Sequence, residues 1–254
     1  MTTGPAAWPD GAAVAVVFQL MLELWPPPRV ETGYHLGPAL TPEDLRRGRV
    51  DLASLSWQEY GGRAGFRRLM DMTQAHGVPA TGVVSGLAVQ RYPELVEEFA
   101  RRGNEIVAHG WAQDVRAFRL TEAEMRDEIR RSVAVIRETT GYTPVGWMSP
   151  GGQGGLHTVP LLAEAGFTHV VEYADDDSPC IVRHGDRRLV ALPVSVDVND
   201  HQLYLRGLNP PSTYVDTFRR SVDLLMREGR RGTPRMMSAV FHGTLYGHPF
   251  GAWA

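Results

Sequence analysis

The chain contains no lysine: all 26 basic residues among its 254 are arginine. That excludes a lysine Schiff base, a pyridoxal-phosphate lysine and the lysine of a Walker A phosphate loop. Cys180 is the only cysteine, so neither an intrachain disulfide nor a multi-cysteine metal site can form. The apolar run Ala12 to Leu22 is too short to span a bilayer. No arginine precedes it, and the Trp25-Pro26-Pro27-Pro28 segment after it offers no small-residue cleavage site, so it reads as a buried strand rather than a signal peptide. A formal net charge of −3, with arginines scattered over helix faces, gives no basic stripe for a polyanion. These absences predict a soluble, cytoplasmic protein with a small-molecule substrate and neither a nucleic-acid nor a membrane partner. We expect a homo-oligomer.

What is present is a repeated joint: a helix, a glycine just past its end, then an apolar strand. It occurs at His76-Gly77 before Pro79–Val84, Arg102-Gly103 before Glu105–His109, Thr140-Gly141 before Pro144–Met148 and Ala165-Gly166 before Thr168–Val171. Glycine is the usual residue past a helix end, and this spacing argues for parallel strands joined by helices. Thr121 and Glu124 form a capping box for a helix over 121–140, with Met125, Ile129, Val133 and Ile136 on one face. A second helix is predicted over 212–230, capped by Ser212 or Thr213, with a stripe of Val215, Phe218, Val222 and Leu225. Residues 24–57, rich in Pro, Gly and Arg, read as a long loop, and 180–194 as a hairpin turning at His184-Gly185-Asp186.

Side chains at the C-terminal ends of parallel strands point toward the ligand site. Two strands far apart in sequence end alike, Ile106-Val107-Ala108-His109-Gly110 and Ala239-Val240-Phe241-His242-Gly243, and the repetition lifts both histidines above a lone buried one. Strand 1 ends in Leu22-Glu23-Leu24-Trp25. A carboxylate at an apolar strand mouth is desolvated, the condition that suits a general base. His109 is followed at i+4 by Gln113 and then Asp114. Glutamine is a poor zinc ligand, so a three-ligand catalytic metal is not expected; if one were present, His109 and Asp114 would be its candidates. Asp175-Asp176-Asp177 follows a strand and offers Asp176 as a substrate contact. Gly151-Gly152-Gln153-Gly154-Gly155 lacks dinucleotide spacing, and neither Ser85 nor Ser149 sits in a nucleophile elbow.

Taken in order, several stretches resemble the polysaccharide deacetylase (NodB-homology) family, and within it the branch of metal-independent allantoinases and related imide hydrolases. They are Glu59-Tyr60-Gly61 with Arg63 and Gly65, Gly77–Thr81, Tyr92–Leu95, Gly103–Ile106 through His109-Gly110-Trp111, Gly146-Trp147 with Ser149-Pro150, Asp175–Asp177, Asn199-Asp200, and His242 with Gly247 and Pro249. The resemblance implies an α/β fold, a distorted (β/α)7 barrel, in one domain over 1–254. Metal-dependent members end strand 1 with two aspartates, a base and a ligand, and add an HxxxH pair. Here Glu23 matches the base, Leu24 or Trp25 stands where the metal aspartate would, and Gln113 replaces the second histidine. His242 matches the late histidine that acts as general acid. The chain ends soon after Pro249, where family members continue with another helix, so an incomplete C-terminal end is expected, and barrel closure with it is at stake.

The reading that results is a hydrolase of a non-peptide C–N bond, in an amide, ureide or cyclic imide, with no cofactor. Glu23 activates water, His109 and backbone N–H groups hold the oxyanion, and His242 protonates the leaving nitrogen. Tyr60, Trp111 and Trp147 wall the pocket, with Ser149 and Asp176 as further substrate contacts. Two alternatives stand beside it: an amino-sugar N-deacetylase with a labile zinc, and a barrel that binds a metabolite without hydrolysing it. The second is suggested by Gln19, Met21 and Leu24 on strand 1.

Overall fold

The computed structural model describes residues 8–28 and 40–253. Arg29 and the middle of the 24–57 segment lie outside the described residues. Eight strands form one sheet: β1 Val14–Leu22, β2 Ala80–Val84, β3 Glu105–Ala108, β4 Gly146–Trp147, β5 His169–Tyr173, β6 Cys180–His184, β7 Arg187–Pro193 and β8 Arg235–His242. Their order is β6-β7-β5-β4-β3-β2-β1-β8. Every adjacent pair is parallel except β6 with β7, the hairpin turning at Gly185. Seven strands therefore run in parallel, with β6 as an antiparallel edge. The sheet curls back on itself beyond β7. Ser195 and Ser238 exchange hydrogen bonds, each hydroxyl accepting the other's backbone N–H, at 3.1 and 2.9 Å. Asn199 then makes a parallel bridge to Val240 on β8. The fold is the curled α/β barrel of the polysaccharide deacetylase type.

The helices are α1 Pro42–Arg46, α2 Leu52–Tyr60, α3 Phe66–Ala75, α4 Gly86–Arg91, α5 Pro93–Arg101, α6 Glu122–Thr140, α7 Thr158–Glu164, α8 Pro211–Gly229 and α9 Pro249–Ala252. The glycines at the four joints, Gly77, Gly103, Gly141 and Gly166, all have positive φ, between 63° and 88°. That backbone conformation costs glycine least, and it ends each helix and aims the chain into the next strand. Thr121 and Glu124 make the capping box of α6, and Met125, Ile129 and Ile136 are buried on its inner face. β1, paired on both sides, buries Gln19 to Leu22, as a parallel strand covered on two faces must.

Three expectations need correction. The 24–57 segment is not loop throughout. It holds α1, started by a Thr41–Asp44 capping box, and α2, started by Asp51 accepting the N–H groups of Ala53 and Ser54. Side-chain caps there stabilise short helices despite the poor composition. α8 is capped by neither Ser212 nor Thr213; it starts one residue earlier, with Pro211 at its first position, where the absent N–H costs nothing. β4 is only two residues, Gly146–Trp147, rather than the five of Pro144–Met148.

Candidate active site

The site is built at the ends of β1, β3 and β8. Glu23 follows β1 directly, and its backbone is steadied next door, where the Leu24 N–H donates to the Ser85 hydroxyl at 3.2 Å. His109 follows β3 and is fully buried. Its Nδ1 lies 2.8 Å from the Met148 carbonyl and its Nε2 lies 3.1 Å from Glu23 Oε1. A carbonyl only accepts, so Nδ1 carries a hydrogen. The short Nε2···Oε1 contact then requires a proton shared between His109 and Glu23. His242 closes β8, and its Nε2 is 3.6 Å from Glu23 Oε2. One carboxylate thus stands between two imidazoles.

His242 is held from behind by Asp200, which no local sequence signal marked as chemical. Asp200 is fully buried. Its Oδ1 lies 2.5 Å from His242 Nδ1, and its Oδ2 accepts the N–H groups of His242 and Tyr246 at 2.8 and 3.2 Å. Burial alone would lower the pKa of His242. The negative charges of Asp200 and Glu23, with the Asp200 hydrogen bond, outweigh it and raise the value to about 9. At neutral pH His242 is an imidazolium, with Nδ1 donating to Asp200 and Nε2–H beside Glu23. A glycine contact sets the turn beyond it. A five-residue π-helical stretch, Gly61–Gly65, links α2 to α3, and a Cβ on Gly65 would fall 1.9 Å from the Gly243 carbonyl oxygen.

The three groups open onto a cavity of about 210 Å³ that is also lined by Trp25, Gln113, Met148 and Glu172. Glu172, the penultimate residue of β5, joins the site without any local sequence signal. Its carboxylate accepts the backbone N–H groups of Ser149 and Gly154 at 2.6 and 2.8 Å. It thereby fixes the loop whose Gly151, Gly152 and Gln153 form one wall. Burial pushes its carboxyl up, against the pull of those hydrogen bonds.

The five expected substrate contacts do not line this cavity. Trp147 is fully buried and edge-on to Phe167, and its indole N–H donates to the Ser149 hydroxyl at 3.1 Å. Ser149 is itself fully buried. Trp111 packs on Gly86 and under the Arg131 guanidinium, 4.2 Å from its ring. Tyr60 stacks on His248 in a separate aromatic depression with Trp57 and Phe250. Asp176 pairs with Arg235 at the opposite end of β8 from His242. Strand alternation explains the first case: Trp147 points into the layer between sheet and helices, so its neighbour Met148 faces the cavity.

The family resemblance raises the question of a divalent metal. Leu24 is packed in the core and the Gln113 amide donates to the His109 carbonyl at 3.1 Å. Both ring nitrogens of His109 are engaged, and Asp114 does not line the cavity. Among the described residues no group of three His, Cys, Asp or Glu side chains is arranged to hold a metal. The residues present do not fit the three-ligand centre.

Comparison with known proteins agrees with the fold. Residues 53–170 match the model of the Polysaccharide deacetylase family. A Schizosaccharomyces pombe protein named "Putative polysaccharide deacetylase" is 28% identical over 75% of this chain, which spans 64% of that protein's own length. A solved structure of the same name from Mycobacterium smegmatis superposes with a TM-score of 0.83 at 29% identity, covering 100% of this chain and 85% of that one. The solved structure of Puue allantoinase gives 0.82 at 26% identity, covering 98% of this chain and 83% of that one. No helix among the described residues is long and apolar enough to cross a membrane. With a parallel curled sheet and histidines closing β3 and β8, the chain is similar in fold, and over residues 53–170 in sequence, to polysaccharide deacetylase (NodB-homology) proteins.

Proposed function

We propose that this chain hydrolyses a non-peptide C–N bond in a small amide, ureide or cyclic imide, and does so without a metal. The observation that carries the reading is Glu23, with one carboxylate oxygen at His109 and the other at His242. Glu23 takes a proton from water, whose oxygen attacks the carbonyl carbon. The oxyanion is held by backbone N–H groups, while His109 Nε2 positions the Glu23 carboxylate. His242 Nε2–H gives its proton to the leaving nitrogen as the C–N bond breaks, and the proton on Glu23 restores it. The cavity, about 210 Å³, suits a small metabolite. The likeness to Puue allantoinase supports a ureide or imide as the substrate.

A second reading, an amino-sugar N-deacetylase, draws on the deacetylase names of the Schizosaccharomyces pombe and Mycobacterium smegmatis relatives. One experiment separates the two. Metal-analysed protein is assayed on N-acetyl sugars, ureides and cyclic imides, with and without a chelator. Turnover of a ureide or imide that survives chelation supports the first reading. One bound zinc per chain, with N-acetyl sugar turnover lost on chelation, supports the second.

A further inference from the structure

We propose that the cavity is built for a substrate carrying a carboxylate, which Arg206 grips with Arg116 as second contact. This rests on the hydrolase reading for the scissile bond but not for the binding. The cavity is lined by four side chains of fixed charge type, Glu23, Glu172, Arg116 and Arg206. Both carboxylates are already committed. Glu23 faces His109 and His242, and Glu172 accepts two backbone N–H groups. The cations are not. Arg116 spends Nη1 on the Gln113 carbonyl, 2.8 Å away, and has no ion pair among the described residues. Arg206 has no ion pair among the described residues. Unspent positive charge is therefore what the mouth offers an incoming ligand.

Position strengthens the argument. Arg206 ends the π-helical segment His201–Arg206, which starts directly after Asp200. The segment that anchors the acid therefore also presents Arg206, and it contributes His201 and Gln202 to the same lining. Such π-helical stretches recur at functional sites. A guanidinium matches a carboxylate in a planar fork, so it orients as well as attracts. A carboxylate fixed there would place a neighbouring amide carbonyl toward Glu23 and His242. The substrate class is thus an acid with an acyl, carbamoyl or ring-closed nitrogen nearby.

The test measures binding apart from turnover. Calorimetry compares succinamic acid with its neutral partner succinamide on the wild-type protein, Arg206→Gln, Arg206→Lys and Arg116→Gln. Binding of the acid at least 10-fold tighter than the diamide is expected. Arg206→Gln should abolish that preference, Arg206→Lys should keep part of it, and Arg116→Gln should reduce it. Equal binding of the two probes, no binding of the acid, or a preference that survives Arg206→Gln overturns the proposal. Arg206 is exposed, so its replacement leaves the folded core intact. A carboxylate preference in a protein that hydrolyses nothing would sink the hydrolase reading and leave this subsite standing. Turnover with no such preference would do the reverse.

Discussion

Asp200 grips His242 at two points: Oδ1 lies 2.5 Å from Nδ1, and Oδ2 accepts the His242 backbone N–H at 2.8 Å. The first contact favours the imidazolium, and the second fixes the backbone on which the ring is carried. Both matter for an acid that must hold its proton at neutral pH and deliver it from Nε2.

Asp200→Asn removes the charge that outweighs burial at His242. The wild-type rate should fall on the alkaline side, around the His242 value of about 9. In Asp200→Asn that limb should move to lower pH, and kcat should drop roughly 10²-fold or more at neutral pH, as for loss of a general acid. A pH–rate profile of both proteins decides it. An unmoved limb would assign the acid to another group.

The same shift makes a stability prediction. His242 binds its proton more tightly when folded than when unfolded, near its ordinary value of 6.5. The stabilisation is therefore complete below about pH 6.5 and is lost as pH rises through about 9. Thermal melts of wild type should decline across that window. His242→Gln should flatten the decline.

Glu172 should act on binding rather than on chemistry. Glu172→Gln leaves one oxygen to serve the Ser149 and Gly154 N–H groups and turns an amide NH₂ toward one of them. The loop wall at Gly151–Gln153 loosens. KM is expected to rise several-fold with kcat changed less, read in steady-state kinetics. An equal fall in kcat with KM unchanged would place Glu172 in the chemistry.

Gly65→Ala tests the mounting of His242. A Cβ there meets the Gly243 carbonyl, which is backbone and cannot rotate away. Overpacking of this kind costs about 1–3 kcal/mol. We expect a lower Tm and reduced turnover together, from displacement of the β8 turn. An unchanged Tm would show that the π-helical stretch can shift.

Sequence reading reached the parallel strands because each helix stop is a glycine forced to positive φ, a local requirement. It reached His109 and His242 because both close apolar strands before glycine. Asp200 carries no local signal beyond the family-like pair Asn199-Asp200. It acts on a residue 42 positions away, and nothing in its neighbours announces a charge buried against an imidazole. Glu172 is silent in the sequence for a similar reason, since its partners are loop N–H groups rather than side chains. The sequence alone places Trp147 and Trp111 in the pocket because large aromatics often wall ligand sites. In a strand, however, a shift of one residue changes the face. Trp147 falls on the helix side, and Trp25 and Met148 line the cavity instead.

The most direct measurement is turnover of the best ureide or imide substrate by Glu23→Gln beside wild type, at fixed pH with a chelator present. Glutamine keeps the shape between His109 and His242 and removes only the proton acceptor. The account predicts a loss of kcat of roughly 10²–10⁴-fold, with substrate binding nearly unchanged. Turnover within a few-fold of wild type would contradict it.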